Sequence, residues 1–135
     1  MKRVFSIAVI SCIFALSGLF TSCKPQEDVE WLFFIQLDSS TDYMVAQDRY
    51  ECIIFPTMFL VMSDDADKAH SAAFGFYGSE SSALHRAKKS FKKAYQSVEN
   101  SPEGAANVSG TGIKVNLCRY HDGDYLIDVM DSHTF

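Results

Sequence analysis

Hydrophobic residues recur along this chain with two periods, one typical of β-strands and the other of α-helices. Residues 30–38, EWLFFIQLD, favour a strand that carries Trp31, Phe33, Ile35 and Leu37 on one face. In residues 79–100, apolar side chains recur at helical spacing, which predicts an amphipathic helix. Its apolar face would carry Leu84, Ala87, Phe91, Ala94, Tyr95 and Val98. Asn100 and Pro102 are expected to end it.

The region between these two elements has a weaker pattern. Residues 43–55, YMVAQDRYECIIF, are interpreted as two short strands around residues 47–49, with a helix from Asp42 as the alternative. Pro56 predicts a break or an edge position, and residues 57–62 read as another strand. Ser63 is a good helix N-cap, and the acidic residues after it predict a helix from Asp64 to about Phe74. Gly75 and Gly78 would follow its end.

The C-terminal part predicts a loop followed by a β-hairpin. Residues 101–112 are small and polar, and residues 113–130 form two strand-like runs around Asp122 and Gly123. A two-residue turn would place Leu117 opposite Asp128. A three-residue loop of residues 121–123 would place Leu117 opposite Ile127. The second register is preferred because it gives one apolar face, formed by Ile113, Val115, Leu117, Tyr125, Ile127 and Val129.

The order of these elements is strands, two helices and a terminal hairpin. That order predicts an α+β domain over residues 31–135, with one antiparallel sheet and both helices packed on one face of it. A chain of 135 residues is long enough for one such domain and too short for two.

The N-terminal residues have the layout of a secretory signal. Lys2 and Arg3 are followed by residues 4–20, VFSIAVISCIFALSGLF, which carry no charge. Thr21, Ser22 and Cys23 come next. This arrangement resembles the lipobox of bacterial lipoproteins, with Phe20 at the position where Leu is commonest. The resemblance covers residues 1–23 only. It implies that residues 1–22 are a signal peptide and that Cys23 carries a lipid whose acyl groups include palmitate.

By the same resemblance, Lys24 rather than Asp after the cysteine implies an outer-membrane lipoprotein, facing the periplasm or the cell surface. Residues 23–30 then form the lipidated cysteine and a polar tether. Removal of Lys2 and Arg3 lowers the 12 basic residues to 10, against 17 acidic ones, which gives a formal net charge of −7. This balance argues against a general nucleic-acid-binding protein.

Two cysteines remain after such processing, Cys52 and Cys118. In an oxidising compartment an even pair predicts a disulfide, with two buried free thiols as the alternative. The bridge would close a loop of about 66 residues and would contribute on the order of 4 kcal/mol.

Candidate contact residues lie on the predicted helix and in the loop before it. Residues 85–93 carry a cluster of basic side chains, among them Arg86, Lys89 and Lys93, that could meet phosphates or an acidic partner. The alternative is a solvated helix face. Phe76 and Tyr77, between two glycines, could form an exposed contact loop or belong to the core.

Signals for catalysis or for metal binding are weak. His121, Asp122, Asp124 and His133 could ligate a metal, but no second ligand pair has a recognised spacing. Ser90 and Lys93 match S-x-x-K without its companion motifs. A thiol–imidazole pair of Cys52 or Cys118 with His121 has no further support. We therefore expect neither an enzyme nor a bound cofactor.

The leading functional hypothesis is a lipid-anchored, non-catalytic module of the cell envelope that binds another protein, of the inhibitor or immunity type. A structural or assembly subunit of an envelope complex is the alternative.

Overall fold

The computed structural model describes residues 29–120 and 127–135. Their elements, in chain order, are β1 (Glu30–Leu37), α1 (Tyr43–Arg49), a π-helical segment (Tyr50–Ile54), α2 (Phe55–Asp65), β2 (Lys68–Ala69), β3 (Phe74–Tyr77), α3 (Glu80–Asn100), α4 (Pro102–Asn107), β4 (Lys114–Tyr120) and β5 (Ile127–Thr134). The predicted signal peptide, Cys23 and most of the tether lie outside the described residues.

The five strands form one antiparallel sheet in the order β2-β3-β1-β4-β5, so β1 is central. Phe33 and Ile35 of β1 are buried, and Ile35 lies opposite the buried Leu117 of β4. These side chains join residues of the helices in one hydrophobic core. The α+β class, with helices packed against an antiparallel sheet, is thereby confirmed. We call the side that carries Phe33 and Leu117 the helix face, and the opposite side the open face.

Residues 43–65 are helical throughout, so the two short strands and the strand over residues 57–62 are wrong predictions. The alternative, a helix from Asp42, is right: the Asp42 carboxylate accepts a hydrogen bond from the Met44 amide as an N-cap. The buried positions include Ala46, Ile54, Met58 and Met62, which are four or eight residues apart. Burial of this stripe outweighs the β-propensity of the aromatic and branched residues around it.

The π-helical segment keeps that stripe in line. In an α-helix, positions four apart rotate by about 40° per step relative to one another, because a turn takes 3.6 residues. The wider turn over Tyr50–Ile54 absorbs the excess, and the Phe55 amide donates to the Tyr50 carbonyl, five residues back. Pro56 lies in the first turn of α2, where the proline ring is tolerated. The break or edge position predicted at Pro56 is therefore wrong.

The helix predicted from Asp64 to Phe74 is also wrong. The chain leaves α2 at Ala66, and the short strands β2 and β3 follow. Asp65 and Asp67 do not begin a helix: Asp65 pairs with Lys93 and Asp67 pairs with Arg86, both on α3. Contacts between distant segments therefore replace the local preference for a helix start.

Helix α3 is confirmed, and it ends at Asn100. The Ser79 hydroxyl accepts from the Ser82 amide at its start, and Ala87, Phe91 and Val98 are buried along it. The loop predicted over residues 101–112 contains a short helix, α4, which Ser101 caps by accepting from the Gly104 amide. Pro102 therefore separates two helices and begins the second one.

The terminal hairpin exists, but both predicted registers are wrong. Leu117 lies opposite Asp131, and Cys118 lies opposite Val129, with a bulge between these two pairs. Val115 and Leu117 are buried as predicted, whereas Ile127 and Val129 are on the open face and exposed. The apolar residues of β5 suggested that they face the core. In the structure, the β5 side chains on the helix face include His133 and Asp131 instead. The predicted turn residues, with Tyr125, lie outside the described residues.

Candidate functional site: the open face of the sheet

An exposed group of apolar side chains covers one end of the open face. On β4 and β5, Tyr120 is 53% exposed, Ile127 40% and Val129 55%. The register connects them, because Tyr120 pairs with Ile127, and Cys118 pairs with both Phe34 and Val129. The Phe34 and Tyr120 rings stack with centroids 4.8 Å apart. We call this group the apolar end, and it consists of Leu32, Phe34, Tyr77, Tyr120, Ile127 and Val129.

The other end of the open face is polar and internally hydrogen-bonded. The Asn116 amide nitrogen donates to Asp38 Oδ2 at 2.8 Å, and the Ser132 hydroxyl donates to Asn116 Oδ1 at 2.8 Å. Asp38 also accepts from the hydroxyl and the backbone amide of Ser40. We call Asp38, Ser40, Asn116 and Ser132 the polar end. Because its members satisfy one another, it offers little unmet hydrogen bonding to a ligand.

The electrostatics of the polar end depend on the charge of Asp38. Hydrogen bonds from the side chains of Ser40 and Asn116 lower the pKa of the Asp38 carboxyl to about 2, and the backbone amide of Ser40 and the nearby Lys114 act in the same direction. The Lys114 ammonium is 3.8 Å from Asp38 Oδ2. Asp38 is therefore ionised at neutral pH.

Cys118 lies between the two ends and is fully buried. Its thiol is 3.6 Å from the side-chain oxygen of Gln36, and burial raises its pKa to about 11. Cys52 is exposed on the π-helical segment, and both thiols are free. The predicted disulfide is thus absent from the structure. One cysteine belongs to the sheet and the other to the exposed side of a helix that packs on the sheet's opposite face, an arrangement that sequence spacing does not reveal.

The basic residues predicted as contacts on α3 are largely paired within the domain. Arg86 donates to both carboxylate oxygens of Asp67 at 2.8 and 2.9 Å, and its guanidinium lies 5.1 Å from the centre of the Phe76 ring. Hydrogen bonds from Arg86 lower the pKa of Asp67. Lys93 is 3.1 Å from Asp65. Lys89 is exposed. Arg86 and Lys93 therefore join α3 to the segment after α2.

Phe76 and Tyr77 belong to strand β3 (Phe74–Tyr77), so they do not form a loop, and the alternative of a core position is right for Phe76. Phe76 is buried and meets Phe33 edge-on, with ring centres 5.9 Å apart, so it belongs to the core. Tyr77 points the other way and is 38% exposed, which makes it a member of the apolar end. The alternation of a strand separates the two neighbours.

A side-chain contact between His70 and Glu30 that the sequence analysis missed crosses the open face next to the apolar end. His70 Nε2 is 2.7 Å from Glu30 Oε2, although β3 lies between β1, which begins at Glu30, and β2, which ends just before His70. A Cβ atom at Gly75 would lie 1.8 Å from the Glu30 carboxylate, so only glycine leaves room for the pair. The glycine within FGFY is the signal that could have indicated this close approach.

The residues suspected of chemistry have structural partners where they are described. Ser90 donates its hydroxyl to Asp65, the carboxylate that also binds Lys93. His133 lies 3.0 Å from Glu99 and stacks on the Tyr95 ring. Residues 29–120 and 127–135 contain no group of three His, Cys, Asp or Glu side chains that could hold a metal ion. His121, Asp122 and Asp124 lie outside those ranges.

Comparison with known proteins finds no family model that matches the chain, no similar curated protein and no similar solved structure. Within the described part of the chain, none of the helices has both the length and the apolar character needed to cross a membrane.

Proposed function

We propose that this protein is a lipid-anchored outer-membrane protein that binds another protein without catalysing a reaction, in the manner of an inhibitor or an immunity protein. Cys23 carries the lipid, and the tether that ends at Glu30 leads directly into β1. The apolar end of the open face binds the partner. This exposed cluster is the observation that carries the proposal.

The form of the cluster supports a protein partner. Aromatic and aliphatic side chains lie together on a rigid sheet, where little conformational entropy is lost on binding. Aromatic residues such as Tyr120 and Tyr77 are enriched among the residues that dominate binding energies at protein interfaces. Scattered apolar residues are normal on a surface, but a contiguous group marks a contact site.

The position of the cluster is consistent with an anchored protein. Leu32 is two residues after Glu30, so the apolar end lies at the end of the sheet where the tether enters. Glu30 follows Cys23 by seven positions, and an extended chain over that interval reaches at most about 25 Å. A partner bound there would be held close to the membrane surface.

The charge of the chain defines the partner further. The net charge of −7 after removal of residues 1–22 favours a partner with basic residues around an apolar centre, because opposite charges speed association. Raising the salt concentration should therefore slow the association while leaving the apolar contact in place.

Site-specific photocrosslinking on intact cells tests the proposal. A photoreactive amino acid at Tyr120 should give a covalent adduct with one identified protein. The matched control is Leu60 on α2, which is 69% exposed and lies in the helix layer. The Tyr120 adduct should disappear when Ile127→Lys is added and should persist when a distant Lys88→Gln is added.

Three outcomes would contradict the proposal. Equal adducts at Tyr120 and Leu60 would show non-specific contact. An adduct of Tyr120 with lipid would show that the membrane itself covers the apolar end, and an adduct with a second copy of the chain would show self-association. The anchor has its own test: Cys23→Ala should abolish lipid labelling, and an unchanged mature mass would contradict the lipobox hypothesis.

A further inference from the structure

A cleft of about 420 Å³ lies between α1 and the two loops beside it. The loop after β1 contributes Ser40, Thr41 and Asp42, the helix contributes Val45, Ala46 and Arg49, and the segment before β4 contributes Thr111, Gly112 and Ile113. Its volume suits a small ligand.

The cleft carries opposite charges at the two ends of one helix stripe. Asp42, Val45 and Arg49 are three and four positions apart, so they lie on the same face of α1. Asp42 is the N-cap of α1 and Arg49, its last residue, follows seven positions later, which corresponds to roughly 10 Å along the axis. Val45 lies between them and is 65% exposed, so the space between the charges is apolar.

Both charged groups have capacity left for a ligand. Arg49 Nε donates to the carbonyl of Asn107 at 2.8 Å, which holds the guanidinium in place and uses one of its five N–H donors. Asp42 accepts from the Met44 amide through Oδ1 only, among the described contacts. A carboxylate has about four acceptor positions, so Oδ2 can accept further hydrogen bonds.

The walls of the cleft are held by hydrogen bonds of their own. Thr41 Oγ1 accepts from the Lys114 amide at 3.1 Å, and the Thr111 hydroxyl donates to the Val108 carbonyl at 2.6 Å. The Gly112 amide donates to the carbonyl of Phe135 at 2.9 Å, and Gly112 has a φ of 79°, which favours glycine. The cleft is thus preformed.

We infer that this cleft binds a short zwitterionic peptide of about three residues. Three extended residues span roughly 10 Å, which matches the axial spacing of Asp42 and Arg49 along α1. The terminal ammonium would meet Asp42, the terminal carboxylate would meet Arg49 in a bidentate geometry, and an apolar side chain would contact Val45. A simple anion fits less well, because Asp42 would repel it.

Nuclear magnetic resonance titration of the full chain in detergent with trialanine tests the inference. The amide signals of Val45 and Gly112 should shift in a saturable way at millimolar peptide. N-acetyl-trialanine and trialanine amide should each bind at least about tenfold more weakly, since each lacks one charge-assisted contact. Equal binding of the doubly blocked peptide, or no saturable shift with trialanine, would overturn the inference.

Two variants test the role of each charged side chain in peptide binding while preserving the fold. Asp42→Ser keeps an N-cap and removes the carboxylate, so free and N-acetylated trialanine should bind it equally. Arg49→Gln should likewise remove the difference between trialanine and its amide. Lys88→Gln, on the exposed side of α3, should bind like the unaltered chain. If Asp42→Ser still preferred the free amino terminus, the assignment of that end would be wrong.

Discussion

The two faces of strand β1 both carry apolar side chains, and these have opposite roles. Phe33 and Ile35 are buried under the helices, whereas Leu32 is 37% exposed and Phe34 is half-buried beneath the stacked Tyr120 ring. Neighbouring phenylalanines therefore serve stability on one face and a contact surface on the other. Apolar residues on a strand indicate a core only when another layer covers them.

The largest expected effect comes from the helix face. Phe33→Ala should lower the free energy of unfolding by about 3–5 kcal/mol, because Phe33 is fully buried and the cavity would be lined by residues such as Phe76. Phe34→Ala is the matched control on the same strand and should cost less than half as much. Urea denaturation of both variants measures the difference, and equal losses would contradict the division into two faces.

The polar end of the open face should show the next largest effect. Asn116→Ala would remove the hydrogen bonds that Asn116 makes to Asp38 and to Ser132, although Asp38 would keep those from Ser40, and it should cost about 1–3 kcal/mol. Ser132→Ala removes only the outer member of the network and should cost less. Thermal unfolding of the two variants orders them. A smaller loss for Asn116→Ala than for Ser132→Ala would show that the network does not depend on Asn116.

Acid should weaken the polar end through Asp38. The pKa of Asp38 is lowered from 3.8 to about 2 in the folded chain, so its ionised form stabilises the fold above about pH 4. That contribution should be lost as the pH falls from about 4 towards 2. Asp38→Asn should be less stable at neutral pH and should lose less stability over this interval than the unaltered chain. Parallel unfolding curves of the two proteins between these pH values would contradict the assignment.

The thiols of Cys52 and Cys118 should differ in their reactivity towards an alkylating reagent in the native protein. At pH 8, iodoacetamide should label the exposed Cys52 in the native protein, whereas Cys118 should react only after unfolding, because it is buried and its pKa is raised to about 11. Peptide mass spectrometry identifies the labelled site. A Cys52–Cys118 bridge in protein isolated from the envelope would instead restore the disulfide prediction.

Local sequence determined the elements whose own residues are sufficient to define them. Helix α3 was predicted because an apolar stripe and the stop signals at Asn100 and Pro102 agree, and the structure adds a cap at Ser79. Strand β1 was predicted from the aromatic and β-branched side chains of residues 30–38. The α+β class followed from the order of these elements, since each must bury one face.

Tertiary structure decided the other elements, because contacts with residues distant in the sequence contributed more free energy than the local conformational preferences. The helix over residues 43–65 exists since Ile54, Met58 and Met62 find the core, and the helix expected from Asp64 is absent because Asp65 and Asp67 pair with α3. The register of β5 was set by a bulge opposite Cys118. The apolar end of the open face could not be predicted from the sequence, because the sequence does not show which face of the sheet the helices cover.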